Sequence, residues 1–335
     1  MTNSSDYENE VLRGDSRLPQ VLPAGNPALP ERSIYSAVLA AVDQWGDYLR
    51  ESEGRPETTV QTYLFQIRNF VDWLQRNPQE ITRRTFETYR NELRARYSPS
   101  TVNLSIVTIR GFLGWLELEG LIPTNPALGV KGVKRPKGSR THKRDELTGS
   151  EIGRVLALVD VGTPEGKRDR AMLRLMAYNG LRQVELTRLR FGDYQTRGNY
   201  RVLFLQGKGR AESDEYTVLT PETEQILGAW VSSHPFAGQS ERPIFCSLSR
   251  RSHGEPLSTS YIRRIVGELY KRAGIREKTK TTHSLRHSAI TAVLRNGGSV
   301  REAQIFARHS SYDTTLIYAH EIDRLENPPE LRVTY

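Results

Sequence analysis

The sequence predicts a mainly α-helical protein of two domains, the second carrying one small β-hairpin. Three observations predict this. Apolar residues recur at helical spacing from Ser33 to Glu119, and one pair of β-like runs flanks Gly207-Lys208-Gly209. A basic stretch containing Gly and Pro separates the two long patterned regions. At 335 residues the chain suits two ordinary domains better than one.

Residues 1–33 are polar, hold Pro19, Pro23, Pro27 and Pro30, and lack periodicity, which reads as a disordered arm. Behind a Ser33 cap, Ile34, Val38, Ala41, Val42, Trp45 and Leu49 line one helical face. A second helix follows Pro56, with Val60, Tyr63, Leu64, Ile67, Val71 and Leu74 on its face. Thr82 caps a third that ends near Tyr97, and a fourth runs from about Ser100 to Glu119, stopped by Gly120 and the Pro123/Pro126 pair. Four helices on short connections make a small all-α domain over residues 34–130.

Between Lys131 and Arg144 there are seven basic residues and no acid. Gly129, Gly132, Pro136 and Gly138 oppose helix there, so residues 131–146 read as a linker whose charges also meet phosphate. Lys131, Lys134, Arg135, Lys137 and Arg140 are the candidates. From residue 147 to 320 helices dominate around one hairpin, Tyr200–Gln206 and Glu215–Leu219, with Lys208 at or near its tip. Later helices are expected at Pro221–Ser232, Ser258–Ala273, His283–Arg295, Val300–Arg308 and Tyr312–Ala319. Residues 321–335, with Pro328 and Pro329, form a tail.

Composition narrows the function. Forty-eight Lys and Arg against 39 Asp and Glu give a net charge of +9, which favours a polyanionic partner such as nucleic acid. The arm holds five acidic and three basic residues, so the excess of positive charge lies beyond it. Cys246 is the single cysteine, which excludes an internal disulfide and a multi-cysteine zinc site. No apolar run would span a bilayer and the N-terminus has no signal-peptide pattern, so a cytoplasmic location is expected.

The residues that bear chemistry are scattered. Arg182 stands in NGLRQVEL near a helix start, Lys208 on the hairpin turn, His283 and Arg286 three apart in THSLRH, His309 before a polar turn, and Tyr318 in TTLIYAH. Cutting a phosphodiester without a metal needs cations aimed at the non-bridging oxygens. The planar fork of arginine suits that task, and two arginines can clamp both oxygens. A lysine on a mobile turn can protonate the leaving oxygen, and a tyrosine can conserve the bond energy as a covalent ester. The phenol needs a base or a strong positive field at neutral pH; His283 and His309 are the candidates. Each residue alone is ordinary surface or packing; their joint order and spacing are not.

Those segments resemble the tyrosine recombinase (phage-integrase-like) family. NGLRQVELTRLRFGDY resembles its first arginine box, with Arg182 and an acidic partner at Glu185. THSLRHSAIT resembles the histidine–x–x–arginine box, ARHSSYDTTLIYAH the terminal box with His309 and Tyr318, and LQGKGRAE the lysine hairpin. The resemblance spans about residues 34 to 320. It implies a two-domain clamp: a helical core-binding domain and an α+β catalytic domain over 147–320. It further implies that Tyr318 attacks the scissile phosphate to leave a 3′-phosphotyrosyl bond. Arg182, Arg286 and His309 would hold the phosphate, Lys208 would protonate the 5′ oxygen, and His283 would assist proton transfer. Glu185 would orient Arg182 or a histidine from behind. No metal or organic cofactor is needed. Implied partners are double-stranded DNA with an inverted-repeat site and three further copies of the chain, the tail docking on a neighbour. Integration, excision and replicon resolution all remain open.

One departure is visible: Arg308 stands where the family usually has glycine, so the helix end before His309 is altered or a DNA contact is added. Two other readings use the same residues, a type IB topoisomerase-like relaxing enzyme and a non-catalytic DNA-binding regulator. A zinc hydrolase built on His283 and His287 is disfavoured, because Ser284 replaces the glutamate that the zincin pattern requires.

Overall fold

The computed structural model describes residues 32–77, 81–134, 145–206 and 215–321. The expectations for residues 1–31, for Arg135, Lys137, Arg140 and Lys208, and for the tail beyond residue 321 fall outside the described residues. The chain divides into two compact units, Met1–Arg135 and Pro136–Tyr335.

The first unit contains α1 (Arg32–Glu51), α2 (Glu57–Arg76), α3 (Arg83–Arg96) and α4 (Pro99–Leu118). The helix α4 touches the other three. Its buried positions Val102, Ile106, Ile109, Phe112, Leu113 and Leu116 cover more than a single stripe, as a central helix requires. It starts cleanly, because Pro99 occupies the first turn and the Ser98 hydroxyl accepts the Thr101 N–H at 3.3 Å. Trp45, Phe70, Phe86 and Phe112 complete an aromatic-rich core. Ser33 lies inside the first turn of α1 rather than capping it, a shift within the usual scatter of helix ends.

The first residues of the basic stretch belong to this unit. The Asn103 side chain accepts the Val133 N–H at 2.7 Å and donates to the Val133 carbonyl at 3.1 Å. Arg90 donates to the Lys131 carbonyl at 3.0 Å. The backbone at 131–133 is thus docked, while the Lys131 and Lys134 side chains are exposed.

The second unit begins with α5 (Gly149–Ala157), α6 (Pro164–Tyr178) and α7 (Gln183–Arg188), followed by a 3-10 turn at Phe191–Asp193. Strands β1 (Tyr194–Arg197), β2 (Tyr200–Leu205) and β3 (Glu215–Val218) form an antiparallel sheet in the order β1-β2-β3. Tyr194 pairs with Leu203, and Val202 with Val218. The expected hairpin is therefore a three-stranded sheet. Strand β1, YQTR, was not legible because none of its residues is buried and no apolar alternation marks it. Five helices complete the unit: α8 (Pro221–Val231), α9 (Thr259–Arg272), α10 (Thr282–Arg295), α11 (Val300–Ala307) and α12 (Tyr312–Glu321).

The core of this unit centres on α6, where Met172, Leu173, Leu175 and Met176 are all buried and pack against α8 and α10. Arg168 on the same helix is buried without being orphaned. It pairs with Asp169 at 2.8 Å and donates to the Cys246 carbonyl at 3.1 Å and the Tyr261 hydroxyl at 2.8 Å. The Ser288 hydroxyl accepts the Leu147 N–H at 2.7 Å, tying the unit's first residues to α10. No helix among the described residues is long and apolar enough to cross a membrane.

Candidate active site

Three chain segments converge where α6 ends. Asn179 closes α6, and its side-chain amide donates to the Val218 carbonyl at 2.8 Å, fixing the turn against β3. Gly180 follows with φ +61°, and a Cβ there would lie 2.9 Å from the Phe306 ring. A glycine is needed both for the left-handed backbone and for the close approach of that ring. The Gly180 carbonyl accepts from both the Arg286 and the Arg308 guanidiniums, using both lone pairs. Gly180→Ala should lower stability by about 1–3 kcal/mol, from backbone strain plus displacement of Phe306. Urea denaturation checks this, and an unchanged midpoint would remove the glycine requirement.

Arg182 is the residue at the N-terminal cap of α7. Its backbone N–H and its Nη1 each donate to Glu185 at 2.7 Å, one to each carboxylate oxygen. Its Nη2 donates to the Arg308 carbonyl at 3.3 Å. Arg286 projects from α10, buried, and binds the Ala307 carbonyl. Arg308 binds the Phe306 carbonyl at 2.9 Å. The last three carbonyls around the end of α11 are thus each met by a different guanidinium, which satisfies open acceptors and complements the negative end of the helix dipole.

The Arg308 backbone lies in the left-handed region, φ 52° and ψ 51°, the one non-glycine residue among the described residues with positive φ. This explains why glycine is usual at such a helix end; a side chain there costs about 1–2 kcal/mol. The side chain points inward rather than toward a ligand: it is 4% exposed and its Nη2 lies 3.1 Å from Glu185. The inward side chain argues against the expected DNA contact, and the helix ends in the left-handed geometry that a glycine would adopt there, so the backbone shows no altered helix end.

Glu185 is itself buried and sits between Arg182 and Arg308. Burial alone would push its carboxyl up; Arg308, the Arg182 N–H and the charges of Arg182 and Arg286 outweigh this and hold it below the ordinary carboxylate range. Burial and the neighbouring Arg182 and Arg308 push Arg286 down to about 9, with Glu185 and the Tyr318 phenol pulling the other way. At neutral pH Arg286 stays charged, and an arriving anion would relieve the crowding of like charges.

Tyr318 lies on α12, 4% exposed, in a small cluster with Ile290, Leu294, Ala303 and Ala307. Its ring stands 4.8 Å from that of His287 and 5.8 Å from that of His309, measured between centroids. His309 is fixed by a hydrogen bond between Nδ1 and the Thr315 hydroxyl at 3.0 Å, and its backbone N–H donates to the Gln304 carbonyl. His283 is half-buried in the first turn of α10, one turn ahead of Arg286. The structure therefore gathers Arg182, Glu185 and Arg286 in one network, stacks His309 on Tyr318, and places His283 on the helix that carries Arg286.

Three features escaped the sequence reading: the place of His287 against Tyr318, the role of Thr315 and the inward turn of Arg308. A signal existed for two of them. His287 follows Arg286 on one helix, and Thr315 precedes Tyr318 by three residues, hence on the same helical face. Among the described residues no cluster of three or more His, Cys, Asp or Glu could hold a metal ion.

Residues 145–324 match the model of the phage integrase family, and residues 42–117 that of the phage integrase N-terminal SAM-like domain. The chain belongs to the phage integrase family. Over 80% of its length it is 31% identical to tyrosine recombinase XerC 2 of Ralstonia nicotianae, of which the match covers 78%. Over 82% of its length it is 29% identical to tyrosine recombinase XerD of Lacticaseibacillus casei, covering 91% of that protein. The fold is shared with the XerH site-specific recombinase in its post-cleavage complex with palindromic difH substrate, at TM-score 0.68 and 17% identity, covering 88% of this chain and 84% of the other. A lambda integrase (75–356) dimer bound to a COC′ core site gives TM-score 0.61 at 17% identity, covering 82% and 95%. This member of the family is a tyrosine site-specific recombinase.

Proposed function

We propose that this recombinase binds double-stranded DNA at an inverted-repeat site and exchanges strands through a 3′-phosphotyrosyl bond to Tyr318. The observation that supports it best is the gathering of Arg182 and Arg286 beside the His309–Tyr318 ring pair, within one unit of the chain. In this reading Arg182 and Arg286 accept the phosphate into a site that already holds excess positive charge, which is the preorganised field that phosphoryl transfer needs. His309 holds a non-bridging oxygen with them. Glu185 keeps the Arg182 fork aimed from behind. Lys208 protonates the 5′ oxygen as it leaves, and His283 assists removal of the phenolic proton.

Four protomers act on two duplexes, with Lys131, Lys134, Arg135, Lys137 and Arg140 adding phosphate contacts. The work is integration, excision or resolution of a mobile element or replicon. Deleting residues 326–335 should weaken the pairing of two sites and spare binding to one; sedimentation of DNA-bound complexes measures both, and undiminished tetramers would remove the docking role.

The direct test uses a synthetic recognition site with a nick beside the cleavage position, so that the short 5′-hydroxyl fragment diffuses away. A covalent protein–DNA adduct should accumulate, and supercoiled plasmid lacking the site should stay supercoiled. Relaxation of any plasmid would favour the topoisomerase reading, and tight binding with no adduct would favour the regulator.

A further inference from the structure

Arg308 is a cost that the fold has kept. Its backbone occupies a conformation that suits glycine, and its guanidinium lies in the interior instead of water. Its partners are specific: the Gly180 carbonyl, which Arg286 also binds, and Glu185, which Arg182 also binds. Three guanidiniums therefore share one buried carboxylate, with Glu215 adding a weaker attraction on Arg308.

Consider the same site with glycine at 308. Glu185 would then be balanced by Arg182 and Arg286, the two arginines meant for the phosphate, and the one with 29% of its side chain exposed would face an incoming phosphate with its charge partly cancelled. With Arg308 present, the carboxylate has an interior counter-charge of its own. Arg182 keeps the orienting hydrogen bonds that it donates to Glu185 and also its field toward the open side. Coulomb attraction falls only inversely with distance in a water-poor interior, so this cancellation matters at the separations observed.

We propose that Arg308 is a positioning residue for strand cleavage, neutralising Glu185 from the interior so that Arg182 and Arg286 present uncancelled charge to the scissile phosphate. The inference rests on the reading of Tyr318 chemistry given above. It assigns the residue at this helix end a function that glycine cannot perform. Arg308 does not touch the substrate; it acts through Glu185 and the end of α11.

The test measures single-turnover adduct formation on the nicked site at saturating DNA, with Kd measured separately on intact DNA and every protein held well below its Tm. Arg308→Gly relieves the backbone and removes the charge. Arg308→Met keeps the backbone demand and removes the charge, and Arg308→Lys keeps both. Both uncharged variants should lose about 10-fold or more in the cleavage rate constant with little change in Kd, and the lysine variant should recover most of the rate. The decisive variant is Glu185→Gln with Arg308→Met, which removes both charges and should cleave faster than Arg308→Met alone. A merely structural role predicts the opposite, further loss with each buried polar group altered. The inference is overturned if the wild type forms adduct and Arg308→Gly and Arg308→Met match its rate, or if the double variant is slower than Arg308→Met. Absence of adduct from the wild type on a verified site would instead overturn the recombinase chemistry on which it rests.

Discussion

Tyr318→Phe should bind its recognition site with unchanged affinity and form no covalent adduct. The substitution deletes one oxygen and keeps the ring that packs on Ile290, Leu294, Ala303 and Ala307, so the small cluster under α12 stays filled. Its effect on stability should stay below about 1 kcal/mol, since no cavity opens. The effect on cleavage should be total within detection, because the proposed covalent route has no substitute when its nucleophile is gone. For comparison, Arg286→Ala removes one preorganised cation and should cost about 3–4 kcal/mol in activation free energy, leaving slow cleavage. Gel separation of adduct from free DNA measures both. A Tyr318→Phe protein that still forms adduct at the wild-type rate would transfer the nucleophile elsewhere.

The second large effect is on folding. Glu185→Leu should lower stability by about 3–5 kcal/mol, because it strands the buried Arg308 guanidinium without its carboxylate. In a unit of this size that corresponds to a fall in Tm of roughly 10 °C. Adding Arg308→Met should return much of the loss, since removing both ends of a buried pair is far less costly than removing one. The pair also sets an acid limit. Glu185 titrates below the ordinary carboxylate range in the folded protein, despite the opposing effect of burial, because Arg308, the Arg182 N–H, Arg182 and Arg286 favour its charged form. The unfolded chain therefore takes up this proton first as pH falls. The stabilisation is complete above the ordinary carboxylate range and is lost as pH drops through the lower folded value. Urea midpoints taken down the pH scale should fall more steeply for the wild type than for Glu185→Gln; equal slopes would show that the carboxylate is not held in this way.

How far the sequence could be read depended on whether local pattern or tertiary contact decided each feature. The helices of the first unit follow directly from apolar spacing and short caps: Thr82 precedes α3, and Gly120, with φ +68°, follows α4. Strand β1 escaped because its four residues are stabilised by pairing with β2 rather than by burial of their own side chains. In the candidate site, residue types and order announced Arg182, Arg286, His309 and Tyr318, since phosphate chemistry limits which side chains can serve. The network behind them was harder to see. Arg308 stood out only as an arginine where glycine was expected, and nothing local indicated that its side chain would turn inward to Glu185, 123 residues earlier in the chain. The Gly180 carbonyl that receives two guanidiniums is likewise a product of tertiary folding, although the glycine itself was visible beside Arg182.

The most direct measurement is to trap the protein on its nicked site, digest with protease and nuclease, and identify the nucleotide-bearing peptide by mass spectrometry. The expected product is a 3′-linked nucleotide on Tyr318, in the peptide that also contains Thr315. A nucleotide carried by another residue, or footprinted DNA released with no peptide attached, would contradict Tyr318 as the nucleophile.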